Sequence, residues 1–364
     1  MADDPRARAW DTVAVRPLAR GVNLSHWYSQ VYRAPGYVPE HYATWMRDDD
    51  IELIVTSGFD HVRFPISLEQ LAPNGTIDAE FARRVVADVG RLHDSGLAVI
   101  VDAHPELDYR RALVAGPAAR AQFLQLWRDF ARMLVDAPPD RTAFELLNEP
   151  GLADPVLWNA LALRTIDAIR AVAPDFSIVV SGDGYSDIAE LIQLDVALLP
   201  ENIVVNLHHY EPTVISHQSA YFTTDDVRTI SDLHYPLDVD NAAGALARTT
   251  HDGAAARIKD YVRVGWSLET HRRILRAAAE YAGARPLTCN EFGVFNGAPR
   301  ATRLDWCADV VTALEEAGIG WTIWDYAGDF AVTHGEPGAR VPDEGLLARL
   351  GLGKASEVAA PTAR

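Results

Sequence analysis

The sequence predicts a (β/α)8 barrel, a fold in which eight parallel strands close on themselves inside a ring of helices. Short β-branched segments alternate with longer amphipathic segments, the pattern of repeated strand–helix units. Segments such as AVIVDAH stay apolar on both faces until their last residues, as expected for a sheet covered on both sides. A doubly wound sheet is the alternative, but no glycine-rich dinucleotide turn follows the first strand.

Eight strands and eight helices are predicted in alternation. The strands cover Ala19–Leu24, His61–Ile66, Leu97–His104, Thr142–Glu149, Ser177–Gly182, Ile203–Tyr210, Pro286–Phe292 and Gly320–Tyr326. The helices cover Pro39–Ser57, Asp78–Ser95, Pro117–Asp136, Asp154–Val172, Tyr185–Leu198, Ser267–Ala282, Ala301–Ala317 and Pro342–Leu352. Asp78 and Asp154 are suited to cap the helices that they begin. These units predict a single domain over residues 1–352, followed by a flexible tail at 353–364.

One connection departs from this alternation. Residues 211–265 lack strong periodicity, whereas a strand–helix loop normally takes about two to six residues. The segment is rich in aromatic and acidic side chains. It predicts a long loop insertion after the sixth strand, and loops of this length commonly cover a functional site.

The composition restricts the partners and the compartment. A net charge of −18 repels nucleic acid and anionic membranes, suits a neutral ligand, and predicts a soluble monomer. Cys289 and Cys307 lie in apolar segments and predict buried thiols rather than a disulfide framework or a metal cluster. The sequence has no apolar run of about 18 residues and no signal peptide, so we expect no membrane span. The chain is therefore either cytoplasmic or secreted after removal of a signal.

Polar side chains collect at the carboxyl ends of the predicted strands, where (β/α)8 barrels carry their active sites. Burying so many polar groups without a function would cost several kcal/mol unless each were paired. Seven strands contribute to this set, which comprises Asn23, Ser25, His26, Arg63, Asp102, His104, Asn148, Glu149, His208, His209, Tyr210, Asn290, Glu291, Trp324 and Asp325.

Two glutamates stand out in this set. Glu149 in ELLNEP and Glu291 in TCNEFG end the fourth and seventh strands, which lie across the barrel from each other. Glycoside hydrolysis requires two carboxyl groups that face each other across a cleft. One of them must be protonated and the other ionised. We expect burial and His208 to keep one glutamate protonated, and Arg63 to hold the other ionised.

Six motifs in this order resemble glycoside hydrolase family 5, a cellulase family of retaining enzymes. They are VRFPI, VDAH, NEP, HHYEP, NEFG and WTIW, and the resemblance covers about residues 20–329. It implies double displacement on a β-linked glucan, as in an endo-β-1,4-glucanase, with Glu149 as general acid/base and Glu291 as nucleophile. No cofactor and no metal are implied.

The resemblance also implies supporting roles around the two glutamates. Asn148 would hydrogen-bond the 2-OH of the sugar, while Arg63 and Tyr210 would orient the nucleophile. His208 would support the acid/base residue, and His209, in the middle of the H-x-Y pattern, would point away.

The remaining candidates would line the cleft. His104 would line the point of cleavage and Trp324 would form its floor, with Asn23 as a further supporting residue from the first strand. Trp27 and Trp266, in predicted rim or loop segments, are candidates for stacking on sugar rings, because sugars present apolar faces as well as hydroxyls.

Several alternative functions are also compatible with the sequence. The substrate could be a mannan, or the action could be that of an exo-β-glucosidase or exo-β-mannosidase. A metal-dependent hydrolase using His104, His208 and His209 is less favoured, because the first strand lacks an H-x-H pair. A carbohydrate-binding barrel without activity is the remaining alternative.

Overall fold

The computed structural model describes residues 7–353 and confirms the predicted barrel. Eight parallel strands pair in sequence order and the last pairs with the first. They are β1 (Arg20–Asn23), β2 (His61–Ser67), β3 (Ala98–His104), β4 (Thr142–Glu145), β5 (Ser177–Ser181), β6 (Ile203–His208), β7 (Leu287–Glu291) and β8 (Gly320–Ile323). The predicted tail lies, apart from its first residue, outside the described residues.

Helices fill the connections between strands. They are α1 (Pro39–Trp45), α2 (Asp48–Thr56), α3 (Leu68–Leu71), α4 (Ala79–Asp94), α5 (Leu107–Ala115), α6 (Pro117–Met133), α7 (Pro155–Arg170), α8 (Ile188–Leu191), α9 (Thr213–Ser216), α10 (Asp225–Arg228), α11 (Val239–Arg248), α12 (Asp252–Val264), α13 (Leu268–Ala282), α14 (Arg300–Glu316) and α15 (Glu344–Arg349). Short 3-10 helices cover Ala7–Thr12, Pro139–Arg141 and Val196–Leu198, and a small antiparallel pair joins β9 (Thr333–His334) to β10 (Val341–Pro342).

Successive side chains of each strand point alternately toward the surrounding helices and into the barrel interior. On β3, Val99 and Val101 belong to the large apolar cluster between sheet and helices, whereas Ile100 belongs to a small cluster inside the barrel. Asp102 and His104 lie on the same side of the strand as Ile100, because side chains repeat every second residue. The barrel interior is therefore apolar near the amino ends of the strands and polar near their carboxyl ends.

Some predicted strands were too long at the functional end. β4 ends at Glu145 rather than Glu149, and β8 ends at Ile323 rather than Tyr326. Beyond β4 the chain bends at Asn148 and Glu149, and the Asn148 N–H donates to the Ala103 carbonyl at 2.8 Å. The composition of such a segment resembles a strand, although the regular ladder has already ended.

The predicted insertion after the sixth strand is present at 211–265, but it is not aperiodic, because α9 to α12 lie within it. Asp238 caps α11 through hydrogen bonds from the N–H groups of Asp240 and Asn241, and His251 caps α12. Gly265 ends α12 in the left-handed region, with φ of 67°. These cap residues are visible in the sequence, so the helices could have been found from them.

Other helical predictions need smaller corrections. The predicted helix Pro39–Ser57 is divided into α1 and α2, Tyr185–Leu198 contains only α8 and a 3-10 turn, and α5 was not predicted. Cys289 and Cys307 are both buried, as expected. Within residues 7–353, none of the helices has the length and apolar character needed to cross a bilayer.

Candidate active site

Arg63 occupies the centre of the barrel mouth and organises the polar layer. Its buried guanidinium donates two hydrogen bonds of 2.8 Å to Glu145, from Nε to Oε2 and from Nη2 to Oε1. It also contacts Glu291 Oε1 at 2.7 Å, Asn148 Oδ1 at 2.8 Å and Asp102 Oδ2 at 3.0 Å. Burial alone would lower the pKa of Arg63, but the three carboxylates raise it well above its ordinary value, so the group stays a cation.

Glu145 is a site residue that the sequence analysis missed. It lies at an inward position of β4, is only 1 % exposed, and accepts a further hydrogen bond from Asn290 Nδ2 at 2.7 Å. Glu145 is therefore the buried counter-ion that holds Arg63 in place beneath the cleft. The alternation within ELLNEP was the available signal, because an acid on the inner face of a strand needs a buried cation.

Both oxygens of Glu291, at the end of β7, are held by donors. Arg63 Nη1 donates to Oε1 at 2.7 Å, and the Tyr210 hydroxyl donates to Oε2 at 3.0 Å. Burial, followed by the charges of Glu291 and Glu149, raises the pKa of Tyr210 well above its ordinary value. The phenol therefore keeps its proton and remains a donor to the Glu291 carboxylate.

Glu149 lies at the turn that follows β4. Its φ of 41° is in the left-handed region, which costs a non-glycine residue about 1–3 kcal/mol and is found preferentially at functional sites. Oε1 lies 3.1 Å from His208 Nδ1, and the side chain is 19 % exposed. Burial raises the pKa of Glu149, and Arg110 opposes this shift. Glu149 therefore retains a proton to higher pH than an ordinary glutamate does.

The two glutamates lie close together across the barrel mouth. One oxygen of Glu149, one oxygen of Glu291 and one ring nitrogen of His208 all lie within 4.8 Å of one another. His208 Nδ1 is also 3.7 Å from Glu291 Oε2. Burial lowers the pKa of His208 to about 4, so the imidazole is neutral near pH 7. The arrangement places two carboxyl groups on either side of a gap that a single reacting atom can occupy.

His104 and Trp324 form a stacked pair beside Asn148. Their ring centroids are 5.9 Å apart with planes inclined by 17°. His104 Nδ1 lies 2.8 Å from Asp102 Oδ2, and His104 Nε2 lies 3.4 Å from Asn148 Nδ2. Burial first, and the charge of Arg63 second, lower the pKa of His104 to about 3. The ring is thus neutral, with Nδ1 donating to Asp102 and Nε2 free to accept from the amide.

Asn23 and His209 lie behind the cleft. Asn23 is completely buried, accepts from Arg63 Nη1 at 3.0 Å and donates to the Asn290 carbonyl at 2.9 Å. It supports the guanidinium rather than facing the cleft. His209 Nε2 lies 2.9 Å from His271 Nδ1, so this ring points away from the glutamates, as predicted.

The prediction that Trp27 stacks on a ligand is wrong, whereas the same role for Trp266 stays a prediction. Trp27 is completely buried, donates from Nε1 to the Tyr42 carbonyl at 2.9 Å, and packs on Phe64 at 5.1 Å. Trp266 is 8 % exposed and packs on the buried ring of His271 at 5.3 Å. A large apolar ring in a rim segment gains more by filling the space beneath its own loop than by standing in water.

Arg110, on α5, is a second site residue that was missed. Its Nη2 donates to the Asn148 carbonyl at 3.3 Å, and its buried Nε has no hydrogen-bond partner within the described part of the chain. Its charge also lowers the pKa of Glu149. Because α5 was not predicted, no pattern in the sequence indicated that this arginine lies beside the acid.

Glu149, His208 and Glu291 are close enough together to be considered as metal ligands. The charges nearby do not favour this function, because Arg63 already places a cation 2.7 Å from Glu291 Oε1. His209, one of the three histidines in the metal-dependent alternative, is turned toward His271. The group fits proton transfer and nucleophilic chemistry better than it fits ion binding.

A (β/α)8 barrel with two glutamates facing each other at its carboxyl end defines a glycoside hydrolase. Comparison with known families agrees with this class. The model for cellulase, glycosyl hydrolase family 5, matches residues 31–329. The chain belongs to glycosyl hydrolase family 5.

Individual relatives share this class. Endoglucanase C of Acetivibrio thermocellus is 28% identical over 327 residues, covering 84% of this chain and 90% of that protein. Cellodextrinase A of Ruminococcus flavefaciens is 29% identical over 221 residues, covering 58% of this chain and 63% of that protein. The chain is thus similar along most of its length to an endoglucanase.

Solved structures share the fold. Cel5A of Thermotoga maritima in complex with cellobiose aligns with a TM-score of 0.73 and 22% identity, covering 95% of this chain and 100% of that chain. The cellulose synthase subunit Z of Clostridioides difficile aligns with a TM-score of 0.75 and 21% identity, covering 92% of this chain and 99% of that chain. At these identities the likeness concerns the fold.

Proposed function

We propose that the chain cleaves β-1,4-linked glucan internally and with retention of configuration, using Glu149 as acid/base and Glu291 as nucleophile. The observation that carries this proposal is the separation of at most 4.8 Å between an oxygen of each glutamate. Retaining enzymes hold their carboxyl groups about 5–5.5 Å apart, whereas inverting enzymes leave about 6.5–9.5 Å for a water molecule. The spacing therefore favours direct attack by a carboxylate.

In the first step, an oxygen of Glu291 attacks the anomeric carbon and the glycosidic C–O bond breaks. Glu149 gives its proton to the departing oxygen, so the leaving sugar departs as an alcohol and a glycosyl ester remains on Glu291. The raised pKa of Glu149 supports this role, because the proton must be present at the pH of the reaction.

In the second step, Glu149, now a carboxylate, takes a proton from water. The water oxygen attacks the anomeric carbon, the ester bond to Glu291 breaks, and both glutamates return to their starting states. The neutral His208 ring, 3.1 Å from Glu149, adds no positive charge that would make Glu149 too weak a base.

The other cleft residues have positioning roles in this proposal. Arg63 and Tyr210 fix the two oxygens of Glu291, so that the nucleophile points at the sugar. Asn148, held by Arg63, offers its amide nitrogen to the 2-OH of the sugar. Trp324, stacked on His104, forms an apolar floor for the ring face.

The choice of an internally acting glucanase is supported by the relatives named endoglucanases that match most of the chain. Action on short cellodextrins is a second candidate, favoured by the similarity to Cellodextrinase A. A β-mannanase, an exo-β-glucosidase or an exo-β-mannosidase would use the same glutamates. The product profile on soluble β-glucans, mannans and aryl glycosides tests sugar, linkage and mode of attack together.

Two variants test the assigned roles. Glu291→Ala removes the nucleophile and should abolish turnover of every substrate. Glu149→Ala should cost least on aryl glycosides with good leaving groups, because such groups depart without a proton. If activated and unactivated substrates lost activity equally in Glu149→Ala, the acid/base assignment would be wrong.

Two controls separate the remaining alternatives. Full activity after treatment with a chelator is expected for the glutamate mechanism, whereas loss that is restored by added metal would favour a metal-dependent hydrolase. Binding of oligosaccharide without turnover at any pH would favour a silent carbohydrate-binding barrel.

A further inference from the structure

An aromatic surface leads from the cleft onto the inserted segment 211–265. It consists of Tyr221 and Phe222 from that segment, Phe295 after β7 and Phe330 after β8, and we call these four residues the aromatic shelf. Phe222 lies 5.2 Å from Tyr221, 5.8 Å from Phe295 and 6.1 Å from Phe330, measured between ring centroids. The four rings therefore form one continuous cluster, contributed by three separate loops, whose outer members Tyr221 and Phe222 face solvent.

The shelf is continuous with the active site. Phe330 lies 6.0 Å from the ring of Tyr210, whose hydroxyl donates to Glu291. His217 bridges the same gap, at 4.9 Å from Tyr210 and 6.0 Å from Phe222. A short oligosaccharide bound at the glutamates is long enough to reach rings that lie only two contacts away.

Exposure rises along the shelf from its inner to its outer end. Phe330 is 4 % exposed, whereas Phe222 is 49 % and Tyr221 is 68 % exposed. The Tyr221 hydroxyl donates to Asp329 Oδ2 at 2.7 Å, which fixes the inserted segment to the loop after β8. The outer rings are thus held in place with their faces in water, which is unfavourable unless something covers them.

We propose that the aromatic shelf binds a pyranose unit of the substrate at a distance from the cleaved bond. This inference rests on the proposed function. A pyranose fits because it is uncharged and presents an apolar face of C–H groups, and because the shelf continues directly from the site where the sugar chain is cleaved. A protein partner fits less well, since two exposed rings are far smaller than the roughly 1,200 Å² that a stable interface buries.

The test uses chain length as the readout. Phe222→Ala and Tyr221→Ala are compared with wild type on cellohexaose and on an aryl β-cellobioside, which is too short to span both the glutamates and the outer rings. We expect kcat/KM for cellohexaose to fall by about tenfold while that for the aryl substrate stays within about twofold. Phe222→Trp keeps an aromatic face and should retain activity on cellohexaose.

A matched control separates this effect from a general loss of surface apolar area. Leu198 is 62 % exposed and lies before β6, at the opposite end of the barrel, so Leu198→Ala should leave both substrates unaffected. Equal losses on both substrates in the shelf variants, or no loss on cellohexaose, would overturn the proposal. If wild type hydrolysed neither substrate, the proposed function itself would fail. That result is distinguishable from failure of the shelf proposal, in which wild type is active and the shelf variants show no selective loss on cellohexaose.

Discussion

Arg63→Met is the substitution whose effect the structure determines most directly. Methionine keeps much of the apolar stem but removes the guanidinium that contacts Glu145, Asp102 and Glu291. These three side chains are at most 7 % exposed, so they would lose this cation at positions where water cannot replace it.

The expected loss is large. Removing one partner of a buried ion pair costs about 3–5 kcal/mol, and here a single cation contacts three carboxylates, so we expect a value at the upper end of that range. A protein of this kind is stable by only about 5–15 kcal/mol, so the variant would lose a considerable share of its free energy of unfolding. The loss should be smaller in acid, because the uncompensated carboxyl groups can then take up protons.

Urea unfolding of wild type and variant at pH 7 and pH 5 measures this effect. Arg84→Met, which breaks an exposed pair with Glu80, is the matched control and should change stability little. Arg63→Lys keeps the charge but cannot make the paired hydrogen bonds to Glu145, so it should be intermediate and provides a second variant if Arg63→Met does not fold. A loss below about 1 kcal/mol at pH 7 would refute the view that Arg63 holds the polar layer together.

Three further predictions concern single residues. Glu145→Gln should lower kcat by at least about tenfold with a smaller change in KM, because Arg63 would lose its charged anchor beneath Glu291; unchanged kcat would contradict this role. Arg110→Gln removes a charge that lowers the pKa of Glu149, so the basic limb of the kcat/KM profile should move to higher pH, while the exposed control Arg111→Gln should leave it in place. Burial lowers the pKa of His209 to about 4, so acidification from about pH 6.5 to 4 protonates His209 in the unfolded chain before it does so in the folded one. Stability should therefore fall with decreasing pH over that range, and His209→Asn should reduce the slope by roughly 1.4 kcal/mol per pH unit in urea titrations, whereas an unchanged slope would contradict the assignment.

Most of the barrel could be predicted from local signals. Asp154 accepts from the Leu157 N–H at 3.0 Å and Asp78 caps α4, as their places before helical segments indicated. The strands were located correctly because both faces of each strand are buried, and such strands appear in the sequence as continuous apolar runs. Within 211–265, α9 and α10 have only four residues each, too few to show a helical period, whereas α11 and α12 were missed although their caps were present.

For the cleft residues, success of the prediction depended on whether strand order alone was enough to place the side chain in the site. Glu149, Glu291 and His208 were found because strand order in a barrel brings sequence-distant strand ends to one rim. Glu145 was missed because its role depends on which face of β4 it occupies, and Trp27 was assigned wrongly for a related reason. The position of Trp27 in a predicted loop indicated that its ring lies near the rim. The direction of the side chain, however, is decided by packing with other parts of the chain, here Phe64 and the Tyr42 carbonyl.

The stereochemistry of the first product tests the central claim most directly. Proton NMR recorded immediately after mixing enzyme with a soluble β-glucan, before the free anomers equilibrate, identifies which configuration is released first. Attack by Glu291 followed by attack of water inverts the anomeric carbon twice, so the β-anomer should appear first. Initial release of the α-anomer would mean a single displacement by water, and it would contradict a nucleophilic role for Glu291 at this spacing from Glu149.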